Sequence, residues 1–212
     1  MSLAVSELFY SLQGESLYTG LACCFVRLAG CNLRCAYCDT RYAQEGGTPM
    51  EPSQIVDQVS GFNCSLVEIT GGEPLLQKET PLLIQALLSA GYTVLLETNG
   101  TLDIGCVDKE CIKIVDVKCP ASGESRKNDP KNLERLMGHD QVKFVISDRN
   151  DYVFAKQTAR QIRAIPPDQV LFSPAHNALA PVALARWMLD DHLPVRFHLQ
   201  LHKTLWGEER GR

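Results

Sequence analysis

Cys31, Cys35 and Cys38 fall within one eight-residue stretch, Cys-Asn-Leu-Arg-Cys-Ala-Tyr-Cys, with gaps of three and two residues between them. Three thiolates at that spacing can face one point from a single loop, so the fold must present this loop to a soft metal centre. Zinc prefers four ligands, usually as two separated pairs, and no fourth Cys or His stands close by in the sequence. A three-ligand site leaves one corner of the centre open. In an iron-sulfur cluster that open iron binds a substrate or cofactor, which turns an electron store into a catalyst. Buried thiols and half of a zinc knuckle are the competing readings, and ligand count and loop compactness favour the cluster.

The rest of the composition narrows the setting. A chain of 212 residues, 45% hydrophobic and 22% charged, suits a single globular domain over 1–212. No apolar run approaches a membrane span, and the amino terminus lacks a basic-then-apolar signal pattern. Nine cysteines cannot all pair, so a reducing compartment is expected, the cytoplasm. A formal charge of -4 without a Lys/Arg run points to small-molecule partners, with no nucleic-acid or membrane surface.

Along the chain, Glu7 to Tyr18 is amphipathic and broken at Gln13-Gly14-Glu15, either a functional loop or an ordinary hairpin turn. Ala22 to Leu28 reads as a buried first strand carrying Arg27. Ser53 is placed to cap a helix to about Ser60, and Thr80 one that ends at Gly91. Further strands are expected at Leu66–Thr70, Thr93–Glu97, Ile112–Val117, Val142–Ile146, Gln169–Phe172 and Val195–Leu199. Helical stretches are expected near Pro130–Met137, Asp151–Arg163 and Leu179–Asp190. Alternation of this kind implies parallel strands and right-handed crossovers, hence an α/β partial barrel of about six parallel strands with ligands at the carboxyl ends. The polar clusters follow strands as that rule requires. Cys23 and Cys24 read as strand packing; Cys64, Cys106, Cys111 and Cys119 read as reduced core or edge thiols rather than a second cluster. Among the histidines, His139 and His192 suit the surface, whereas His198 and His202 flank the last strand's polar end.

The cysteine spacing, with Tyr37 just before Cys38, resembles the signature of the radical S-adenosylmethionine superfamily, and Gly71-Gly72-Glu73-Pro74 resembles its Gly-Gly-Glu motif. That resemblance implies a [4Fe-4S] cluster on the three cysteines. Its fourth iron would chelate S-adenosylmethionine, with reductive cleavage to a 5'-deoxyadenosyl radical that abstracts a hydrogen atom. Other segments narrow the likeness: Ser11-Leu12-Gln13-Gly14-Glu15, Asp39-Thr40, Glu68-Ile69-Thr70, Glu97-Thr98-Asn99-Gly100, Asp116-Val117-Lys118-Cys119-Pro120 and Leu201-His202-Lys203 with Trp206. Together these are similar to the 7-carboxy-7-deazaguanine synthase family over nearly the whole chain. Ser16 departs from the pattern, standing where the family often has Gly.

What the family implies is a magnesium-dependent ring contraction of 6-carboxy-5,6,7,8-tetrahydropterin with loss of ammonia, in a dimeric partial barrel fed by flavodoxin or ferredoxin. Cofactor contacts are then expected from Tyr37, Gly72, Glu73, Asp116, Val117, Lys118, Ser173, Pro174, Ala175 and His176. Substrate contacts are expected from Leu12, Gln13, Gly14, Glu15, Arg27, Thr70, Glu97 and His202. Magnesium keeps several waters and takes few protein oxygens, so the Thr40 hydroxyl plus substrate oxygens would be a reasonable sphere. The planar fork of Arg27 suits a carboxylate. Glu97 suits the pterin's donor edge, its amide N–H and exocyclic amine, with Glu15 in reserve. Two other classes share the cluster loop. An activating enzyme for a glycyl-radical partner should lack the Arg27, Thr40 and Glu97 set, and an electron carrier should not cleave S-adenosylmethionine.

Overall fold

The chain opens with a hairpin, not with the strand expected first. β1 (Leu3–Leu12) pairs antiparallel with β2 (Ala22–Leu28), and a short β3 (Thr48–Met50) lies on the other side of β1. The computed structural model describes residues 2–211. Gln13-Gly14-Glu15 lies in the loop joining the first two strands, so the break there is a hairpin connection. From β2 the sheet is parallel through β4 (Leu66–Gly71), β5 (Thr93–Thr98), β6 (Ile112–Asp116), β7 (Gln141–Ile146), β8 (Val170–Pro174) and a two-residue β9 (Arg196–Phe197). Its edges are β3 and β9, so the barrel is partial.

Helices α1 (Pro52–Ser60), α2 (Thr80–Ser89), α3 (Arg149–Ala159) and α4 (Pro181–Asp190) cover the outer face. Ile55 and Val59 of α1 and Leu83, Ile84 and Leu87 of α2 pack with Val26, Leu28, Val67, Ile69, Val94 and Leu96. On the later half, Tyr152, Ala155, Leu184 and Met188 pack with Val142, Phe144, Ile146, Val170 and Phe172. Each such side chain removed from water contributes roughly 1.5–3 kcal/mol, which makes these two layers the main hold on the sheet.

Several element ends move from their sequence positions. The cap of α1 is Glu51, whose N–H donates to the Gln54 side chain at 2.8 Å, in place of Ser53. Thr80 is the first residue of α2 and its hydroxyl donates to the Pro74 carbonyl at 2.6 Å. Pro130–Leu133 forms only a 3-10 turn, because Asn132 spends its side chain on the Gly100 and Leu102 carbonyls and joins that loop to the core. Of Val195–Leu199 only Arg196–Phe197 pairs, and a short α5 (Leu201–Trp206) follows that the sequence pattern did not indicate.

Side chains alternate across a strand, so residues two apart share a face. On the inner face of β2, β4, β5 and β6 the sequence runs from apolar to polar toward the carboxyl end: Cys23, Phe25, Arg27; Leu66, Glu68, Thr70; Leu95, Glu97; Ile114, Asp116. The first members form a small apolar plug of Cys23, Phe25, Leu66, Leu95 and Ile114. The last members open into a cavity.

Candidate active site

Two glycines set the cysteine loop against the sheet. Gly71 has φ +149°, and a Cβ there would lie 2.1 Å from the Leu28 carbonyl oxygen; a Cβ on Gly72 would lie 2.1 Å from the Gly30 oxygen and 2.8 Å from Cys31 Cβ. Only glycines permit this approach. Their backbone closes it, with Gly72 N–H donating to Leu28 at 3.1 Å and Glu73 N–H to Gly30 at 2.8 Å. The loop is buttressed from its far side as Ala36 N–H donates to Ser122 O at 3.0 Å and Arg34 N–H to Glu124 at 2.8 Å.

All three cysteines of the loop line one cavity of about 230 Å³. The Leu33 N–H at 3.4 Å and the Asn99 amide at 3.9 Å approach Cys31 Sγ, and the Gln44 amide approaches Cys38 Sγ at 3.9 Å. Burial pushes the Cys35 thiol up while the Lys118 ammonium draws it down. Among the described residues no three His, Cys, Asp or Glu side chains converge as the ligands of a single ion must. Thiols on one wall with N–H donors aimed at their sulfurs instead fit a cluster whose irons each take one cysteine. Cys111 and Cys119 are buried in two different apolar layers, so they are packing residues.

Opposite the cysteines stands a buried charged tier. Lys143 of β7 bonds through Nζ to both Glu15 of the hairpin loop and Glu97 of β5, and Asp116 of β6 lies 3.6 Å away. Asp116 is also paired with Lys118 at 2.8 Å. The other Glu15 oxygen accepts the Gln200 amide at 2.7 Å. Glu68 of β4 accepts the Gln13 amide. Burial favours the neutral form of each acid, but for Glu15 the attraction of Lys143 and His202 outweighs it and holds the carboxyl at about 2. Glu97 is raised by burial, against the pull of Lys143. Glu68 is pushed well above its usual range by burial and by neighbouring Glu97. Burial disfavours the Lys143 ammonium, yet Glu15, Glu97 and Asp116 keep it charged.

The rim carries the remaining polar groups. Arg27 sits opposite Glu7 in the β1–β2 register and bonds to it through Nε at 2.6 Å, while Tyr42 donates to the same carboxylate at 2.7 Å. Beside Arg27 in the β2–β4 register stands Thr70. The Thr40 hydroxyl donates to Asp39 at 2.8 Å. Burial would raise Asp39, but His202 and Lys203 of α5 hold it well below the usual carboxylate range. α5 closes over the hairpin loop: Leu201 N–H donates to Gly14 O at 2.8 Å, and a Cβ on Gly14 would meet His202 Nδ1 at 2.4 Å. Ser16 takes the left-handed conformation, φ +65°, that a glycine would adopt, and its hydroxyl accepts the Tyr18 N–H at 3.2 Å.

The cavity therefore gathers Leu12, Gln13, Gly14, Glu15, Arg27, Tyr37, Thr40, Thr70, Gly72, Glu97, Asp116, Lys118, Ala175, His176 and His202 with the cysteines. Four expected contacts stand off its wall. The fully buried Glu73 carboxylate is taken up by the Thr98 hydroxyl at 2.8 Å and the Asn99 and Leu75 N–H groups at 2.7 and 3.0 Å, so it braces the loop after β5. Val117 belongs to the apolar layer under α3 and α4. Ser173 is fully buried with no hydrogen-bond partner for Oγ, and Pro174 borders a neighbouring hollow with Asn177, Leu199 and Thr204. Sequence reasoning missed Lys143 and Gln200 on the wall, and named Asp39, Glu68 and Asn99 only within motifs, without a contact role. The available signal for Lys143 was a lone charge inside the apolar run Val142–Ile146.

The family model for the radical SAM superfamily matches residues 26–119. A 7-carboxy-7-deazaguanine synthase from Koribacter versatilis is 46% identical, with 98% of each chain covered. One from Chlorobaculum tepidum is 43% identical, covering 98% of this chain and 96% of its own. The crystal structure of QueE from Escherichia coli superposes with TM-score 0.80 at 21% identity over 95% of each chain, which speaks to the fold alone.

Proposed function

This chain belongs to the 7-carboxy-7-deazaguanine synthase family of radical S-adenosylmethionine enzymes, and from that premise we propose how its own residues perform the family's reaction. The reaction is the magnesium-dependent contraction of 6-carboxy-5,6,7,8-tetrahydropterin to 7-carboxy-7-deazaguanine with release of ammonia, on the route to queuosine. One observation carries the site assignment: a single cavity has three cysteines on one wall, the Arg27 guanidinium at its rim and, opposite the cysteines, an acidic tier of Glu15 and Glu97 around Lys143. Those two charges match the two ends of a carboxylated pterin.

Cys31, Cys35 and Cys38 are the residues to hold the [4Fe-4S] cluster. Bound there with S-adenosylmethionine, the cluster would supply a 5'-deoxyadenosyl radical for hydrogen abstraction. The Gly72 backbone, Tyr37, Asp116, Lys118, Ala175 and His176 border the cofactor's side of the cavity. Glu73 acts by fixing Asn99, whose amide reaches Cys31 Sγ, not by touching the cofactor. Arg27 receives the substrate carboxylate on the guanidinium nitrogens its Glu7 pair leaves, and Glu97 accepts the pterin's two N–H donors. Thr40 is the residue that would offer magnesium a hydroxyl oxygen, and the ion would there supply charge to hold substrate oxygens. Leu12 and Thr70 border the ring, and α5 with His202 excludes water from above.

A single catalytic domain over 1–212 is supported by the one sheet that runs from Leu3 to Phe197. No helix among the described residues is long and apolar enough to cross a membrane. Nine free cysteines call for a reducing compartment, which we take to be the cytoplasm. A flavodoxin or ferredoxin-type donor and a homodimer complete the reading by likeness to the family. The test is anaerobic reconstitution with iron and sulfide, followed by mass analysis of products from the tetrahydropterin. The deazapurine acid and ammonia are expected; cofactor cleavage with the pterin unchanged would overturn the assignment.

A further inference from the structure

We propose that Lys143 is a positioning residue for pterin recognition: by standing between Glu15 and Glu97 it keeps both ionised side by side, so that the substrate's two N–H donors meet a carboxylate free to accept both. The inference deepens the functional reading above and rests on it. Both carboxylates bond to the same Nζ, so they are close neighbours. Two carboxylates so close in a buried wall do not both ionise without a cation between them; one retains a proton. A protonated carboxyl presents one donor and one acceptor, a mismatch for a two-donor edge, whereas a carboxylate accepts both.

No other charge around the pair replaces Lys143. From β4, Glu68 adds a carboxyl beside Glu97. From the end of β6, Lys118 is claimed by Asp116 at 2.8 Å. From the segment after β8, His198 and His202 face Glu15, but burial drives His198 toward its neutral form, and His202, a cation only when protonated, also faces Asp39 at 4.0 Å and bears on Glu15 rather than on Glu97. The two acids also differ in access. The Glu97 side chain is 22% exposed against 10% for Glu15, and Gln200 holds the second Glu15 oxygen at 2.7 Å. Glu97 is thus the carboxylate that meets the pterin and Glu15 the neighbour whose charge Lys143 must offset.

The test measures binding of 6-carboxy-5,6,7,8-tetrahydropterin and of S-adenosylmethionine to the anaerobic reconstituted holoenzyme, from mildly acidic to mildly alkaline pH. Wild type, Lys143→Arg, Lys143→Met and the charge-relieved double variant Lys143→Met/Glu15→Gln are compared, each checked for folding by circular dichroism. Lys143→Met should bind the pterin roughly tenfold more weakly for each pH unit by which the retained proton's pKa lies above the assay pH, and recover as pH rises. Lys143→Arg should follow wild type, and the double variant should regain affinity on the acidic side because Glu97 no longer shares its site with a second acid. S-adenosylmethionine affinity should hold throughout. A pH-independent loss in Lys143→Met, an equal loss of cofactor affinity, unchanged pterin affinity, or no recovery in the double variant would each overturn the inference alone. Failure of the wild type to bind the pterin would overturn the functional reading with it.

Discussion

Lys113 near the start of β6 and Lys143 in the middle of β7 are both almost fully buried, at 2% and 3% relative exposure, yet their surroundings differ in kind. Lys113 pairs with Asp140 at 3.1 Å and donates to the Cys111 carbonyl at 3.2 Å. Asp140 in turn accepts the Lys113 and Met137 N–H groups at 2.8 and 2.7 Å, so one cation meets one anion with every partner satisfied. Lys143 faces Glu15, Glu97 and Asp116 and lines the cavity. Buried charge alone therefore marks neither function nor structure. An excess of acid over base on a cavity wall is what distinguishes the carboxyl end of the sheet, since it leaves acceptor capacity for a ligand's N–H donors.

The same contrast holds for cysteines, and there the effect is largest. Cys35→Ala should abolish cofactor cleavage and most iron binding, whereas Cys111→Ala, beside Lys113, should keep about four irons per chain in a colorimetric iron assay. Iron loss from Cys111→Ala would erase the distinction between the two ends. Lys113→Met comes next. It strands a buried carboxylate and should cost about 3 kcal/mol in urea unfolding, with KM for the pterin unchanged under conditions where the variant is folded.

Arg27→Ala should weaken pterin binding by about 2 kcal/mol, and Lys at this position should rescue only in part for want of a planar fork. Thr40→Ala should leave slow cofactor cleavage but lose magnesium stimulation; a magnesium titration matching wild type would remove Thr40 from the site. The smallest effect concerns Glu68. Its folded-state pKa lies above the unfolded value, so stability is fully present below the unfolded pKa and falls as pH rises through the folded one. Glu68→Gln removes that loss and should raise stability near neutral pH by about 1 kcal/mol or more, with Gln13 still bonded. Equal unfolding midpoints for the two proteins across that range would contradict it.

Much of this was legible in the chain because its signals are local. The cysteine triad is three ligands on one loop, Gly71-Gly72 marks a backbone approach, and short apolar runs mark the buried strands. The charged tier was hidden by its dispersion. Glu15, Glu97, Asp116 and Lys143 come from four separate segments, and only parallel register brings Asp116 beside Lys143. Glu73 shows what adjacency leaves out: next to the glycines in sequence, its carboxylate accepts from Thr98 and Asn99, which the sequence does not show. β1 was obscured because its exposed and half-buried positions, including Glu7 and Tyr10, break the apolar alternation.

The account turns on Glu97 as the acceptor of the pterin edge, and the direct measurement is calorimetric affinity of the Glu97→Gln holoenzyme for pterin and for S-adenosylmethionine, side by side. Exchanging one acceptor oxygen for an amide donor should weaken pterin binding by about 2–3 kcal/mol, on the order of a hundredfold, and leave cofactor binding within about twofold. Equal losses for both ligands, or none for the pterin, would contradict it.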